Sequence, residues 1–343
     1  MKESVLLLLT GHGAGLPLAS FAVLGAAVFV VASRLARAAD VIAETTGLGR
    51  AWIGMILLAA ATSLPEVLTD VNAALLDAPD IGVGDLMGST LANMLILAVL
   101  DLVYARRYIL QSVAVHHAVV GLLAIVLTTI AGVAIATGGL GRIGFMGIET
   151  LVIAAVYLAG MRMVFLMTQE APGAMVAAVS REPGTARREM RGAIGAFLAA
   201  GIGLAIVAPL LVISAEAVSV ESGLSQTFVG TLLVGFTTSF PEIAASVAAV
   251  RLGAVDLAVG NIFGSNAFNM LVLPMMDLAY VKGPVLAHVS SGHQLSALLA
   301  VLCVALGVMA ILARLRERAG LVRFGSVLIV ACYAAGAWLL GRA

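Results

Sequence analysis

Residues 53–104 read IGMILLAAATSLPEVLTDVNAALLDAPDIGVGDLMGSTLANMLILAVLDLVY, and residues 229–280 read VGTLLVGFTTSFPEIAASVAAVRLGAVDLAVGNIFGSNAFNMLVLPMMDLAY. The two stretches align without a gap at an offset of 176 positions. Identical pairs at this offset include Gly54/Gly230, Thr62/Thr238, Ser63/Ser239, Pro65/Pro241, Glu66/Glu242, Gly88/Gly264, Ser89/Ser265, Asn93/Asn269 and Asp101/Asp277. An ungapped match of this length predicts that the chain is built from two copies of one unit.

The composition around this repeat is that of a membrane protein. Of the 343 residues, 62% are hydrophobic and 11% are charged, whereas soluble globular chains carry about a quarter charged residues. Nineteen basic and nineteen acidic residues give a net charge of zero, which argues against a nucleic-acid partner because such proteins carry a basic excess. Cys303 and Cys332 lie in separate apolar runs, so neither a disulfide framework nor a thiolate metal site is expected. Backbone groups in lipid must be bonded internally, and the apolar runs therefore predict an all-α polytopic membrane protein.

The apolar runs also predict the number of helices. A bilayer core about 30 Å thick requires about 20 helical residues. Runs between charged or turn-rich breaks predict ten transmembrane helices, at residues 15–42, 50–76, 80–104, 113–137, 143–168, 192–220, 226–250, 254–280, 286–313 and 322–341. The apolar run within residues 1–12 is too short to span a bilayer.

The distribution of basic residues predicts the orientation in the membrane. Cytoplasmic loops carry an excess of Lys and Arg. Fifteen of the nineteen basic residues lie at the loops that join helices 1–2, 3–4, 5–6, 7–8 and 9–10. The other face carries Lys2, Arg142, Lys282 and Arg342. We therefore expect a multi-pass protein of the plasma or inner membrane with both termini outside.

The repeat offset predicts how the two copies are related. It carries the second predicted helix onto the seventh, and a shift of five spans is odd, so the copies cross the membrane in opposite directions. The sequence thus predicts two inverted five-helix halves, residues 1–168 and 192–343, joined by a cytoplasmic linker at 169–191. Inverted repeats are common in secondary transporters, whose sites lie near the bilayer midplane on discontinuous helices.

Each half carries a Thr-Ser-x-Pro-Glu motif inside a predicted helix, at residues 62–66 and 238–242. Proline has no N–H and clashes with the carbonyl one turn earlier, which frees backbone carbonyls beside the motif. Glu66 and Glu242 follow at membrane depth, where an ionisable side chain is costly and functional by default. Carbonyl, hydroxyl and carboxylate oxygens are hard ligands that suit Ca²⁺ or Na⁺.

The following helix of each half adds further oxygen ligands. Ser89 and Asn93, like Ser265 and Asn269, are spaced by four residues and share one helix face. Two glutamates match the charge of one divalent cation. Asp70 lies one turn after Glu66 and aligns with a serine in the other half, so it is a further candidate, as a third ligand or a proton carrier.

The motifs Ala61-Thr62-Ser63-Leu64-Pro65-Glu66 and Thr237-Thr238-Ser239-Phe240-Pro241-Glu242, with the Gly-Ser and Asn residues that follow them, resemble the cation/calcium exchanger superfamily. The resemblance extends over nearly the whole chain and is greatest to the prokaryotic sodium/calcium-exchanger-like branch. It implies ten helices, no permanently bound cofactor, and export of Ca²⁺ in exchange for Na⁺. It also implies that Glu66 and Glu242 are the central Ca²⁺ ligands and that Thr62 and Thr238 contribute backbone carbonyls. Flanking Na⁺ sites would be lined by Ser63, Ser89, Ser239 and Ser265 and by the backbone at Ala59 and Gly235.

The sequence departs from the family pattern at three positions. Asn269 stands where well-known sodium/calcium exchangers carry a third acid, Asp85 stands where asparagine is usual, and Thr90 replaces another asparagine. The amide at 269 is also compatible with a second hypothesis, in which the protein has the same fold and uses H⁺ as the counter-ion. An enzyme is disfavoured because no nucleophile–base pair stands out at membrane depth, and a channel because no pore-ring motif is present. The sequence leaves the oligomeric state open and is compatible with a monomer.

Overall fold

The computed structural model describes residues 2–46, 59–104, 109–169, 183–313 and 319–342. These ranges form fourteen α-helices and one short hairpin of β1 (Arg142–Ile143) and β2 (Met146–Gly147). The helices are α1 (Lys2–Leu9), α2 (Gly15–Thr46), α3 (Leu64–Leu75), α4 (Pro79–Val103), α5 (Ile109–Ser112), α6 (His116–Thr137), α7 (Ile148–Gln169), α8 (Pro183–Ser222), α9 (Gln226–Phe228), α10 (Gly235–Thr238), α11 (Phe240–Leu252), α12 (Val255–Ala279), α13 (His293–Ala313) and α14 (Ala319–Leu340). A π-helical segment, Val229–Val234, joins α9 to α10, and a short 3₁₀ helix, Val285–Ala287, precedes α13.

Several of these helices are long and apolar enough to cross a membrane. Within the described ranges there are seven, namely Gly15–Ala38, Pro79–Val103, His116–Thr137, Ile148–Met167, Arg188–Ser222, Val255–Ala279 and His293–Ala313. Gln226–Thr238 and Phe240–Leu252, bent by 43° at a short break, form an eighth if they are one span. Phe324–Leu340 is a shorter apolar helix. The predicted span at 50–76 begins outside the described residues. The prediction of a helical, polytopic membrane protein is confirmed in this form.

Some helix bounds differ from the predicted ones. Residues 143–147 belong to the β-hairpin, not to a helix, because glycines with positive φ at 138, 139, 141 and 144 turn the chain before α7 can begin at Ile148. The run predicted to start at 286 becomes helical as α13 only at His293, after a turn. The helix expected from 192 already begins at Pro183, so the end of the predicted linker is helical. Linker residues 170–182 lie outside the described ranges.

The helices divide into an inner and an outer set. In the most apolar 18-residue stretch of α4 and of α12, 78% is buried. The corresponding share is 28% in α2 and 33% in α8. A helix that is apolar all round and mostly buried belongs to the protein interior, whereas an apolar helix with most of its surface free is suited to face lipid. α4 and α12 therefore form the centre of the molecule, and α2 and α8, which pack against each other, lie at its periphery.

Two broken helices cross next to α4 and α12. The first broken helix comprises residues 59–75 and is interrupted at Ser63. The second broken helix comprises Gln226–Leu252 and is interrupted at Ser239. In both, proline occupies the second position of the helix that follows the break. A proline is tolerated in the first turn of a helix but cannot continue one, so the repeated proline explains the repeated interruption.

Glycines allow α4 and the second broken helix to approach each other closely at the centre of the molecule. A Cβ atom added at Gly88 on α4 would overlap the carbonyl oxygen of Thr231 in the π-helical segment. A Cβ atom at Gly235 would lie 2.7 Å from the backbone at Gly88 and Ser89. Backbone therefore packs directly on backbone where α4 meets the second broken helix, as is typical of small residues between membrane helices.

Polar contacts between the two halves recur at the repeat offset. His117 bonds to Asp256 at 3.2 Å, and His293, 176 positions later, bonds to Asp80 at 3.0 Å.

The hydroxyls of Thr150 and Ser326, also 176 positions apart, donate to Asp277 and Asp101 over 2.6 and 2.7 Å. Asp101 and Asp277 are both buried and serve as acceptors for the opposite half.

One further contact between the halves lies in the loops. Lys282 donates to the carboxylate of Asp77 over 2.6 Å, and Tyr280 donates to it over 3.3 Å. The hydrogen bond from Lys282 holds the pKa of Asp77 below its usual value. Both charged side chains are more than half exposed, and such exposed pairs contribute little to stability.

Candidate functional site

The breaks in the two broken helices bring the motif glutamates into one buried cluster. Glu66 and Glu242 lie in the first turn after each break, and neither is exposed to solvent. Carboxylates are favoured at helix N-termini because the free N–H groups there carry partial positive charge. The local structure that the proline creates therefore also favours the acidic residue that follows it.

Glu242 accepts hydrogen bonds from serines of both halves. Ser63, in the break of the first broken helix, donates to Oε1 of Glu242 over 3.0 Å. Ser265 of α12 donates to the same oxygen over 3.2 Å. The other oxygen, Oε2, is buried and has no hydrogen-bond donor. The carboxylate is thus held in place by one oxygen and has the second free to bind a cation.

Glu66 is held in the corresponding way by α4. Ser89 donates to Oε1 of Glu66 over 3.4 Å, and Oε2 is again buried without a donor. The same serine hydroxyl lies 3.1 Å from the carbonyl oxygen of Gly235 and 3.1 Å from the hydroxyl of Thr238. Because a hydroxyl has a single proton, it satisfies only one of these oxygens at a time. An excess of oxygens over donors suits a bound cation.

The two motif threonines make equivalent contacts. Thr238 lies 3.1 Å from Ser89 and donates to Oδ1 of Asp85 over 2.7 Å. Thr62 lies 3.5 Å from Ser265 and donates to Oδ1 of Asn261 over 3.4 Å. Each threonine therefore contacts a serine and an Asp or Asn of the opposite half.

The backbone carbonyls proposed to flank the site are also present. The carbonyl of Ala59 accepts from the hydroxyl of Thr62 over 3.1 Å. The carbonyl of Gly235 accepts from Ser239 over 2.8 Å, so Ser239 bonds to its own helix and not to a glutamate. Ser63 and Ser239, which are equivalent in sequence, thus differ in the bonds they make.

The amides of α4 and α12 complete the cluster. Asn93 donates to Oδ1 of Asn266 over 2.9 Å and keeps its own Oδ1 free of donors. Asn269 is fully buried, and neither of its side-chain polar atoms has a partner. Unpaired polar atoms in a protein interior are costly, and a missing ion or water is a common explanation. Asn266 was not predicted as a site residue, although it aligns with Thr90 and stands beside the Gly264-Ser265 motif.

The free oxygens fit a hard cation. Buried oxygens without donors occur on Glu66, Glu242, Asn93 and Asn269, and they belong to the class of ligands that Ca²⁺ takes. Within the described ranges, no three side chains among His, Cys, Asp and Glu are grouped so as to hold a metal ion by themselves. Coordination here would therefore combine carboxylates with amide, hydroxyl and carbonyl oxygens.

Asp70 lies beside this cluster. It is fully buried, and both carboxyl oxygens lack a donor. Asp85 and Glu66 are its ionisable neighbours, and the carboxyl groups of Asp70 and Asp85 are placed to share a hydrogen bond if one of them carries a proton. The sequence shows Asp85 only as a departure from the family pattern, because its contact with Thr238 joins residues far apart in the chain.

Residues 16–166 and 192–341 match the family described as sodium/calcium exchanger protein. The chain belongs to this family.

Among its relatives, "Inner membrane protein YrbG" of Escherichia coli (strain K12) is 32% identical over 246 residues, which cover 71% of this chain and 73% of the relative.

Two solved structures share the fold of this chain, although their sequences are less similar to it. The H⁺/Ca²⁺ exchanger CAX superposes with a TM-score of 0.66 at 13% identity, covering 99% of this chain and 93% of that one. The sodium-calcium exchanger NCX_Mj, in a crystal soaked with Na⁺ and Sr²⁺, gives a TM-score of 0.56 at 22% identity, covering 91% and 97%. The resemblance predicted from the repeated motifs is confirmed, and the fold is that of the exchangers.

Proposed function

We propose that this protein is a secondary active antiporter that exchanges Ca²⁺ for Na⁺ by alternating access to one site near the bilayer midplane. One observation carries the proposal: Glu66 and Glu242, from equivalent broken helices, are buried together with an excess of hard oxygens supplied by both halves. A site shared between halves changes shape when the halves move, which an alternating-access mechanism requires. Family membership supports the same function.

The ligand roles follow from the contacts. Glu66 and Glu242 would bind Ca²⁺ through their free oxygens, with backbone carbonyls at Thr62 and Thr238 and the amides of Asn93 and Asn269. Flanking Na⁺ sites would use Ser63, Ser89, Ser239 and Ser265 and the carbonyls of Ala59 and Gly235. Calcium takes about six to eight oxygen ligands, and a set of this size supplies them. Because the two glutamates balance either one Ca²⁺ or two Na⁺, the ions compete for the same charges.

The architecture we propose is two inverted halves of five helices, residues 1–168 and 192–343, with both termini outside a plasma or inner membrane. The contacts of His117, His293, Thr150 and Ser326, each repeated after 176 residues, support the relation between the halves.

The packing also supports a route for the motion. Apolar side chains of α2 and α8 form a cluster with residues of the two broken helices and of the start of α4, and this cluster is separate from the larger core around α4, α6, α12 and α13. We expect α2 and α8 to slide as a unit over that core.

Transport in vesicles tests the proposal. Inverted membrane vesicles containing the protein should accumulate ⁴⁵Ca²⁺ when an outward Na⁺ gradient is imposed at constant pH. Accumulation driven only by a pH gradient, in the absence of Na⁺, would instead identify H⁺ as the counter-ion. Without accumulation under either gradient, the antiporter proposal fails.

The variant Glu66→Gln should abolish this uptake, because it removes one of the two charges that bind Ca²⁺ while preserving the shape of the side chain. Glu3→Gln makes the same chemical change at an exposed position of α1 and should transport normally. If Glu66→Gln still exchanges Ca²⁺ while both variants are present in the membrane in equal amounts, Glu66 is not a central Ca²⁺ ligand.

A further inference from the structure

Asn93 of α4 and Asn266 of α12 form an amide pair between the two halves. Nδ2 of Asn93 donates to Oδ1 of Asn266 over 2.9 Å, and both side chains are fully buried. Oδ1 of Asn93 and Nδ2 of Asn266 have no partner. The two amides are therefore joined by a single hydrogen bond, and Asn93 is its donor.

This bond fixes which atom of Asn93 is available to a cation. A side-chain amide carries an acceptor oxygen at one end and two N–H donors at the other. The oxygen can coordinate a cation, whereas the N–H groups carry partial positive charge and repel it. Because Asn266 holds Nδ2, the end of the Asn93 amide that remains free is the oxygen. Asn93 also shares its helix face with Ser89, which bonds to Glu66, so this amide lies on the side of α4 that carries the site.

The second half has no such arrangement. The residue equivalent to Asn266 is Thr90, whose hydroxyl donates to the carbonyl of Leu86 in its own helix over 3.0 Å. The residue equivalent to Asn93 is Asn269, and neither of its side-chain polar atoms has a partner. No hydrogen bond among the described residues therefore sets the orientation of the Asn269 amide.

We propose that Asn266 is a positioning residue for Ca²⁺ binding, because it holds Nδ2 of Asn93 and so presents Oδ1 of Asn93 to the cation. This role rests on the proposed function, in which Asn93 is a Ca²⁺ ligand, and it adds the residue that orients that ligand. A ligand that is held in its binding orientation before the cation arrives loses less conformational freedom on binding, which raises the affinity. Of the two amide ligands, Asn93 has this advantage and Asn269 lacks it.

Removing the acceptor at residue 266 tests this role. In Asn266→Ala, either end of the Asn93 amide can face the cation. We expect the affinity for Ca²⁺ to fall about three- to tenfold, the range that corresponds to the net loss of one hydrogen bond. Isothermal titration of the purified wild type and variant with Ca²⁺, in Na⁺-free buffer at fixed pH, measures the change. Equal affinities would overturn the proposal.

A second background separates positioning from packing. In Asn93→Ala the oriented ligand is absent, so adding Asn266→Ala should cause no further loss of affinity. Residues that act through one another depart from additivity in this way. If Asn266 only packs α12, its removal should lower the affinity equally with and without Asn93, and that result would overturn the proposal.

Asn72→Ala is the matched control. The amide of Asn72 donates to the backbone carbonyl of Leu68 in its own helix over 2.7 Å, so the variant should bind Ca²⁺ with the affinity of wild type. A loss equal to that of Asn266→Ala would overturn the proposal, since any buried amide would then have the same effect. If Asn266→Ala does not fold, Asn266→Thr introduces a hydroxyl that can bond a carbonyl of its own helix, as at Thr90, and should cause the same loss of affinity.

The Ca²⁺ titration also separates this role from the proposed function. If folded wild type does not bind Ca²⁺, the proposed function is contradicted, and the role of Asn266 with it. If wild type binds Ca²⁺ and Asn266→Ala binds it equally well, only the role of Asn266 is contradicted. Binding that is weakened by Asn266→Ala, but not weakened further when Asn93 is already absent, supports both.

Discussion

At the scale of single residues, equivalence in sequence does not mean equivalence in bonding. Ser63 and Ser239 occupy the same position of the repeated motif, yet Ser63 donates to the carboxylate of Glu242 and Ser239 donates to the carbonyl of Gly235 in its own helix. An inverted repeat observed in one conformation is expected to be asymmetric in this way, because the two halves exchange their roles only when the transporter reverses.

This asymmetry makes a prediction about the two serines. Ser63→Ala removes a hydrogen bond to a buried carboxylate, and bonds to charged groups contribute roughly 1.5–3 kcal/mol. We expect the apparent affinity for Ca²⁺ to fall by about tenfold or more, as 1.4 kcal/mol corresponds to about a factor of ten.

Ser239→Ala is the matched control for Ser63→Ala. It removes a hydroxyl that bonds only a backbone carbonyl of its own helix, so its loss of affinity should be smaller. Isothermal titration of the purified proteins with Ca²⁺ measures both. Equal losses in the two variants would show that the asymmetry has no energetic consequence.

At the scale of elements, the sequence predicted the broken helices and much of the site, but not every contact. The repeated Pro65 and Pro241 predicted the interruptions, and the four-residue spacing of Ser89 and Asn93 predicted a shared helix face, because both depend on local geometry. The contact of Asp85 with Thr238 joins residues far apart in the chain. An alignment of one half with the other identifies equivalent residues and not the partners that each contacts.

The close packing of α4 on the second broken helix leads to a prediction about two glycines. A Cβ at Gly88 would overlap the carbonyl of Thr231, which belongs to backbone that cannot move aside. Gly88→Ala should therefore prevent assembly or lower Tm by several degrees, since overpacking costs about 1–3 kcal/mol or more.

The equivalent substitution Gly264→Ala is the control, because its Cβ would meet only the Cβ of Ala59, at 3.1 Å. Its effect on Tm should be smaller, and thermal unfolding of both variants in detergent measures the difference. If Gly264→Ala were the more damaging of the two, the backbone contact at Gly88 would not be the tighter one.

At the scale of the whole molecule, the inverted halves and the distribution of basic residues together predict one membrane topology. Both termini should lie outside, and the loop after the seventh span, which carries Arg251, should lie inside.

The two native cysteines, Cys303 and Cys332, are first replaced by alanine. Glu3→Cys and Arg251→Cys are then introduced separately, at exposed positions of α1 and α11. A membrane-impermeant maleimide should label Glu3→Cys from the outer side of sealed right-side-out vesicles and should label Arg251→Cys only after permeabilisation. Because seven predicted spans, an odd number, separate Glu3 from Arg251, the two results are linked: reversed labelling at both sites would leave the inverted fold intact and reverse its orientation. Labelling of both cysteines from the outer side would instead mean that an even number of spans separates them, and the ten-helix arrangement would be wrong.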